Sequence, residues 1–187
     1  MRKVGVFGGT FDPPHVGHLL AASDAQEALG LDQVLFVPAF AQPLKSAPCA
    51  PPADRLEMVR RLCQGDARFA VDAIEIERAG VSFTVDTLRA LKAREPSAAL
   101  FLLVGEDAAG TLPNWREPDA ILGLAEVVVL TRGAGGVESG TAFRRVATRR
   151  VDISSTEIRA RARSGSSLNG FVVDRVAAYI AERGLYR

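Results

Sequence analysis

Short, uninterrupted apolar runs recur along this chain with helical patterns between them, and that rhythm limits its fold more than any other feature. Val4-Gly5-Val6-Phe7, Val34-Leu35-Phe36-Val37, Leu100-Phe101-Leu102-Leu103-Val104 and Val127-Val128-Val129-Leu130 are the clearest runs. A strand wet on one face alternates apolar with polar residues, whereas a run apolar at every position is covered on both faces, as in a parallel sheet between helices. Helical spacing follows near Val16 with Leu19, Leu20 and Leu29 before Gly30, and again from about Asp54 to Cys63 and from Thr84 to Arg94 before Pro96. A short helix around Ile121-Leu122 precedes the last apolar run, and helices over Ser155–Arg163 and Asn169–Arg183, with Gly184 as the stop, close the chain. Phe69-Ala70-Val71 and Ile74-Glu75-Ile76 read as short strands, the second alternating as an edge strand would. The expectation is an α/β fold: one domain over residues 1–187 built on a doubly wound parallel sheet, with a helical part from about 154 to 187.

Ligands of such sheets collect beyond the carboxyl ends of the strands. Those ends carry Gly8-Gly9-Thr10, the Pro- and Ala-rich stretch from Pro38 to Pro52 with Lys45 in it, Gly105-Glu106-Asp107, and Thr131-Arg132 before a Gly-rich stretch over Gly133–Gly140, read as a mobile loop. With 23 basic against 22 acidic residues, the net charge of +1 lacks the basic excess of a dedicated nucleic-acid binder. Seven arginines between Arg144 and Arg163 form a local excess, read first as a solvated face and second as an RNA-binding one. Cys49 and Cys63 make neither a disulfide framework nor a zinc spacing. Met1-Arg2-Lys3 does not open a signal peptide, and no apolar run reaches the roughly 18 residues of a membrane helix. A soluble, cytoplasmic protein without membrane or nucleic-acid partners is expected.

The first strand runs into Gly8-Gly9-Thr10-Phe11-Asp12-Pro13-Pro14-His15-Val16-Gly17-His18. Paired glycines admit close approach of a ligand to the backbone, and a helix starting near Val16 aims amides at an anion. The spacing is neither G-x-G-x-x-G nor a P-loop. The two histidines of the chain both lie here, three residues apart. They fit a phosphate-handling pair, a metal pair or caps of the turn, and their place beside a Gly-Gly strand end favours phosphate. Ile153-Ser154-Ser155-Thr156-Glu157-Ile158-Arg159 is on its own a helix N-terminus with hydroxyl caps, yet it also gathers hydroxyls, amides and an arginine at the positive end of a helix. That assembly suits a polyphosphate.

Together, Gly8-Gly9-Thr10-Phe11-Asp12-Pro13 with His15-x-Gly17-His18, and Ile153-Ser154-Ser155-Thr156-x-Ile158-Arg159, resemble the nucleotidyltransferase family with HxGH and ISSTxIR signatures. Ser82-Phe83-Thr84-x-x-Thr87-Leu88, Val104-Gly105-x-Asp107, Pro113-x-Trp115 and Gly184-Leu185-Tyr186-Arg187 are similar to its nicotinate-nucleotide adenylyltransferase branch. The resemblance implies a Rossmann-like nucleotidyltransferase fold and transfer of the adenylyl group of ATP to nicotinate mononucleotide, with Mg2+ carried by ATP and no protein metal site. It implies His15, His18 and Arg159 as catalytic residues. Gly8, Gly9, Thr10, Phe11, Lys45, Gly105, Asp107, Ser155 and Thr156 would bind ATP, and Thr84, Trp115 and Arg116 the mononucleotide. The chain departs from the branch at Leu44, where Pro-Pro-His-Lys becomes Gln42-Pro43-Leu44-Lys45 and one donor to the mononucleotide phosphate is lost. Nicotinamide mononucleotide or phosphopantetheine as acceptor, a non-catalytic nucleotide sensor, and a metal-dependent hydrolase using the two histidines are the competing readings. Oligomeric state stays open, a homo-oligomer included.

Overall fold

The computed structural model describes residues 1–43, 47–133 and 143–187. Leu44 and Lys45, and the Gly133–Gly140 loop beyond Gly133, therefore lie outside the described residues. The strands are β1 (Lys3–Gly9), β2 (Gln33–Pro38), β3 (Phe69–Val71), β4 (Ala99–Gly105), β5 (Glu126–Arg132) and β6 (Arg144–Thr148). They form one parallel sheet in the order β3-β2-β1-β4-β5-β6. The helices are α1 (Val16–Leu29), α2 (Pro52–Cys63), α3 (Ile74–Arg78), α4 (Thr84–Arg94), α5 (Glu106–Gly110), α6 (Pro118–Leu124), α7 (Ser155–Arg163) and α8 (Asp174–Arg183).

The continuous apolar runs are explained by a core on each face. Leu100, Leu102 and Val104 of β4, with Val127 and Val129 of β5, pack against α3, α4 and α6. Their neighbours Phe101, Leu103, Val128 and Leu130 face the opposite way, against α1, α2, α7 and α8. Successive side chains of a strand point to opposite faces, so two covered faces demand apolar residues at every position.

Three expectations need correction. Ile74-Glu75-Ile76 is the start of α3, not an edge strand. Asp72 Oδ1 accepts the Ile74 amide at 2.9 Å and turns the chain, and Glu75 is buried against the Thr87 hydroxyl at 2.6 Å, so its alternation does not mark a wet face. The last helix begins at Asp174 rather than Asn169, because the Phe171 carbonyl is used by the Val16 amide at 3.0 Å and Asn169 bridges Val172. β6 was not foreseen in the arginine-rich stretch, since only Val146 among its five residues is large, apolar and buried. Arg144, Arg145, Arg149 and Arg150 of that stretch pair with Glu126, Glu106, Asp24 and Asp152, which favours the solvated reading for those four.

Candidate active site

The strand order reverses at β1, whose two neighbours are β2 and β4. Pairing of β1 with β4 reaches only Val6 and Leu102, whereas β1 continues along β2 to Gly9 and β4 along β5 to Gly105. The sheet thus splits at its carboxyl edge, at the topological switch point where ligands of such folds bind. Gly8, Gly9 and Gly105 line the split, and Asp107 is exposed in the first turn of α5 beyond it.

The loop leaving β1 is tightly built. A Cβ on Gly9 would sit 2.9 Å from the Phe11 ring, so glycine is required for that ring to fold underneath. Phe11 is buried, with φ of 51°, and its ring packs edge-on against His18 at 5.1 Å and Phe7 at 5.9 Å. Its side chain is thus committed to the core. Thr10 Oγ1 donates to Gln42 Oε1 at 2.9 Å, joining the first loop to the second.

His15 caps α1 and His18 lies in its first turn, and the rings stack with centroids 3.8 Å apart. A Cβ on Gly17 would come within 3.0 Å of the His15 ring, which accounts for the glycine between them. The His15 amide donates to His18 Nδ1 at 3.2 Å, so a neutral His18 carries its proton on Nε2. The Val16 amide is already bonded to Phe171, and the His18 amide to the His15 carbonyl, so the α1 N-terminus offers fewer amides to an anion than the sequence suggested.

Burial, reinforced by the positive charge of Arg132 at the end of β5, pushes the His15 pKa from 6.5 down to about 4. Between those values the unfolded chain binds a proton that the folded chain refuses, so stability falls as pH drops from 6.5 toward 4. The full shift corresponds to about 3 kcal/mol. Urea midpoints measured across that window should drop for the parent and drop less for His15→Asn; parallel curves would show that His15 takes its proton in place.

The second motif docks directly on this loop. Ser155 Oγ donates to the Pro13 carbonyl at 2.8 Å, and Arg159 Nη1 to the Asp12 carbonyl at 2.8 Å. Arg159 Nη2 reaches Thr156 Oγ1 at 3.3 Å. Arg159 Nε and His15 Nδ1 are buried with no hydrogen-bond partner among the described residues. Two buried, unsatisfied polar atoms on facing motifs are the expected mark of a site completed by a polar ligand.

Thr84, Trp115 and Arg116 form a second group. Thr84 opens α4, and Arg116 lies over the Phe83 ring at 4.8 Å while facing Asp86 at 3.5 Å and Glu117 at 3.7 Å. Its charge is therefore already engaged by two carboxylates. Trp115 packs on the core of this face and donates Nε1–H to Thr111 Oγ1 at 3.0 Å. The two groups are linked through the second loop, where Ser82 donates its amide to the Ala41 carbonyl at 2.8 Å and accepts the Phe40 amide on Oγ at 2.9 Å. The contacts of Trp115 and Arg116 run to Thr111, Phe83, Asp86 and Glu117, within their own group.

Sequence reasoning missed Arg55. It is fully buried, and its guanidinium binds the carbonyls of Thr10, Ala39, Phe40 and Ala50 at 2.6–3.2 Å. Desolvation lowers its pKa, an effect opposed by the negative charge of Asp12. The Asp12 carboxylate, also passed over, accepts the Cys49 and Ala50 amides at 2.7 and 3.0 Å. Among the described residues no cluster of three or more His, Cys, Asp or Glu is arranged to hold a metal ion, and no helix is long and apolar enough to cross a membrane.

This split parallel sheet, with HxGH and ISSTxIR motifs facing each other, defines a nucleotidyltransferase, and the pattern of the cytidylyltransferase-like family matches residues 6–161. A Gemmatimonas aurantiaca protein named "Probable nicotinate-nucleotide adenylyltransferase" is 51% identical, covering 99% of this chain and 92% of its own. A Thermus thermophilus protein of the same name is 43% identical over 99% of this chain and 100% of its own. The chain belongs to the nicotinate-nucleotide adenylyltransferase family. In fold it is similar to Plasmodium falciparum nicotinic acid mononucleotide adenylyltransferase complexed with NaAD, with a TM-score of 0.78 at 16% identity, covering 100% of this chain and 98% of that one.

Proposed function

We propose that this protein transfers the adenylyl group of MgATP to nicotinate mononucleotide, releasing pyrophosphate and giving nicotinate adenine dinucleotide. The observation that carries the reading is the docking of Ser155 and Arg159 onto Asp12-Pro13, which leaves the buried Arg159 Nε and His15 Nδ1 to be satisfied by phosphate. Membership of the family supports the acceptor.

A phosphomonoester has a second pKa of about 6 and is mostly dianionic at neutral pH. Its oxygen attacks the α-phosphorus of ATP, the new O–P bond forms, and the bond to the β-phosphate bridging oxygen breaks, with pyrophosphate carrying off that electron pair. No general base is required, so alignment and charge stabilisation remain as the protein's tasks. Gly8, Gly9 and the Thr10 and Phe11 backbone admit the triphosphate to the split. His18, with its proton on Nε2, is the proposed donor to the reacting phosphates, while His15, neutral at pH 7, contributes without adding charge. Arg159, Thr156 and the first amides of α7 hold the leaving pyrophosphate. Ser155 does so by its backbone, because its hydroxyl proton is committed to Pro13. Magnesium would be carried by the ATP phosphates that Thr156 and Arg159 are proposed to hold, and would supply charge neutralisation for the leaving group. Lys45 is proposed as a further cation over them, Gly105 and Asp107 as neighbours of the adenosine, and Thr84 and Trp115 as the cradle of the pyridine ring. Arg116, braced by Asp86 and Glu117, orders the Phe83–Thr84 turn and its amides more than it supplies net charge.

Pyrophosphate release from MgATP, run in parallel with nicotinate mononucleotide, nicotinamide mononucleotide and phosphopantetheine, tests the reading. Release that depends on the nicotinate form is expected. Preference for the amide would overturn the acceptor while keeping the chemistry. ATP binding without turnover would make the protein a sensor, and ATP breakdown without any acceptor would make it a hydrolase.

A further inference from the structure

Tyr186 follows the last helix by three residues and lies 174 positions from the loop it touches, yet its hydroxyl donates to Asp12 Oδ1 at 2.8 Å. That carboxylate is buried and collects three donors from two distant parts of the chain: the adjacent Cys49 and Ala50 amides and the Tyr186 hydroxyl. The same residue's carbonyl receives Arg159. Asp12 is therefore the joint at which the first loop, the end of the second loop and the pyrophosphate-binding arginine meet.

The segment that brings Tyr186 there is held in place. Gly184 ends α8 at φ of 61°, the Leu185 amide bonds the Ile180 carbonyl at 3.0 Å, and Leu185 and Tyr186 pack on the core shared by α1, α2, α7 and α8. Tyr186 itself has φ of 66°, a conformation that side-chain-bearing residues seldom adopt. Such backbone persists where surrounding contacts over-determine it, and it clusters at functional sites. Burial, together with the negative charge of Asp12, holds the phenolic proton on far above its ordinary pKa, so the hydroxyl stays a donor at any working pH.

We propose that Tyr186 is a positioning residue of the adenylyl-transfer site: its hydroxyl fixes Asp12, and Asp12 fixes the guanidinium of Arg159 and the junction of the two phosphate-facing loops. It touches no substrate. The inference rests on the phosphate reading of the site, on which Tyr186 acts through its hydrogen bond to Asp12.

Tyr186→Phe keeps the ring and removes the donor. With MgATP and nicotinate mononucleotide, kcat is expected to fall about tenfold and the KM for the mononucleotide to move less than about twofold. The melting temperature should stay within about 2 °C of the parent. Combined with Arg159→Lys, the loss should be smaller than the product of the two single losses, because both changes loosen one guanidinium. An unchanged kcat, a loss that tracks the unfolded fraction, or losses that simply multiply would overturn the role. Should the parent transfer nothing, the reaction assignment fails by itself, and ATP affinity decides this proposal: several-fold weaker binding by Tyr186→Phe supports it and equal binding overturns it. Should Tyr186→Phe not fold, amide exchange in the unaltered protein decides. A saturating non-hydrolysable ATP analogue should slow Cys49, Ala50 and residues 184–187 together, and slowing at Cys49 and Ala50 alone would overturn the link.

Discussion

Replacing His18 by Ala is expected to lower turnover by about 10²–10³-fold while ATP affinity changes only a few-fold, the loss that follows removal of one pre-aimed donor to a developing oxyanion. The expectation follows from how the ring is held. The His15 amide takes Nδ1, which leaves the proton on Nε2. Phe11 and Phe7 pack against the ring, and the His15 ring stacks on its other side. A donor fixed this firmly requires no reorganisation as charge develops on the phosphates, so its contribution is greater in the transition state than in the ground state. Single-turnover rates and an ATP dissociation constant for the variant separate the two terms. Loss of affinity equal to the loss of rate would make His18 a uniform binding residue, and an unchanged rate would remove it from the chemistry. His18→Asn, which keeps a polar group in the first turn of α1, controls for fraying of that helix.

What was legible in the sequence was what local chemistry writes locally. β4 and β5 declare themselves because two covered faces leave no polar position, and Thr84–Arg94 was read to the residue because its apolar period and Pro96 bound it. The two loop motifs were also legible as motifs, each with its own glycines, hydroxyls or cap. Their meeting through Ser155 and Pro13 was implied by family resemblance alone, since nothing in either stretch encodes a contact across 142 residues. β6 was hidden because an edge strand needs few apolar residues and its arginines pair with neighbouring carboxylates. α3 was misread because a buried, bonded Glu75 mimics the polar position of a wet strand. Asp12 stood inside a quoted motif without a role, as its three donors come from positions 49, 50 and 186.

Arg55 was the least legible residue, and its loss has the largest expected effect on stability. It sits among Leu56, Met58, Val59 and Leu62 on the apolar side of α2, where an arginine reads as an accidental flank of the buried face. In the fold its fork satisfies four carbonyls drawn from the loops after β1 and β2 and from Ala50 just ahead of α2, with Asp12 as the nearby counter-charge. Arg55→Met preserves the length of the stem but leaves the buried Ala39 and Ala50 carbonyls without their donor and removes a positive charge near Asp12. Breaking a buried ionic arrangement on one side costs about 3–5 kcal/mol, a large part of the roughly 5–15 kcal/mol that holds a domain together. Urea unfolding at pH 7 should show that loss. Arg55→Lys should recover little of it, because a single ammonium cannot present a planar fork to carbonyls on separate segments. ATP should also bind more weakly to whatever Arg55→Lys remains folded, since the carbonyls of Thr10 and Phe40 that the fork ties together set the spacing between the two loops. A lysine variant with parental stability and parental ATP affinity would show instead that the loops hold their spacing through Thr10–Gln42 and Ser82–Phe40 alone, with the buried arginine as a dispensable filler.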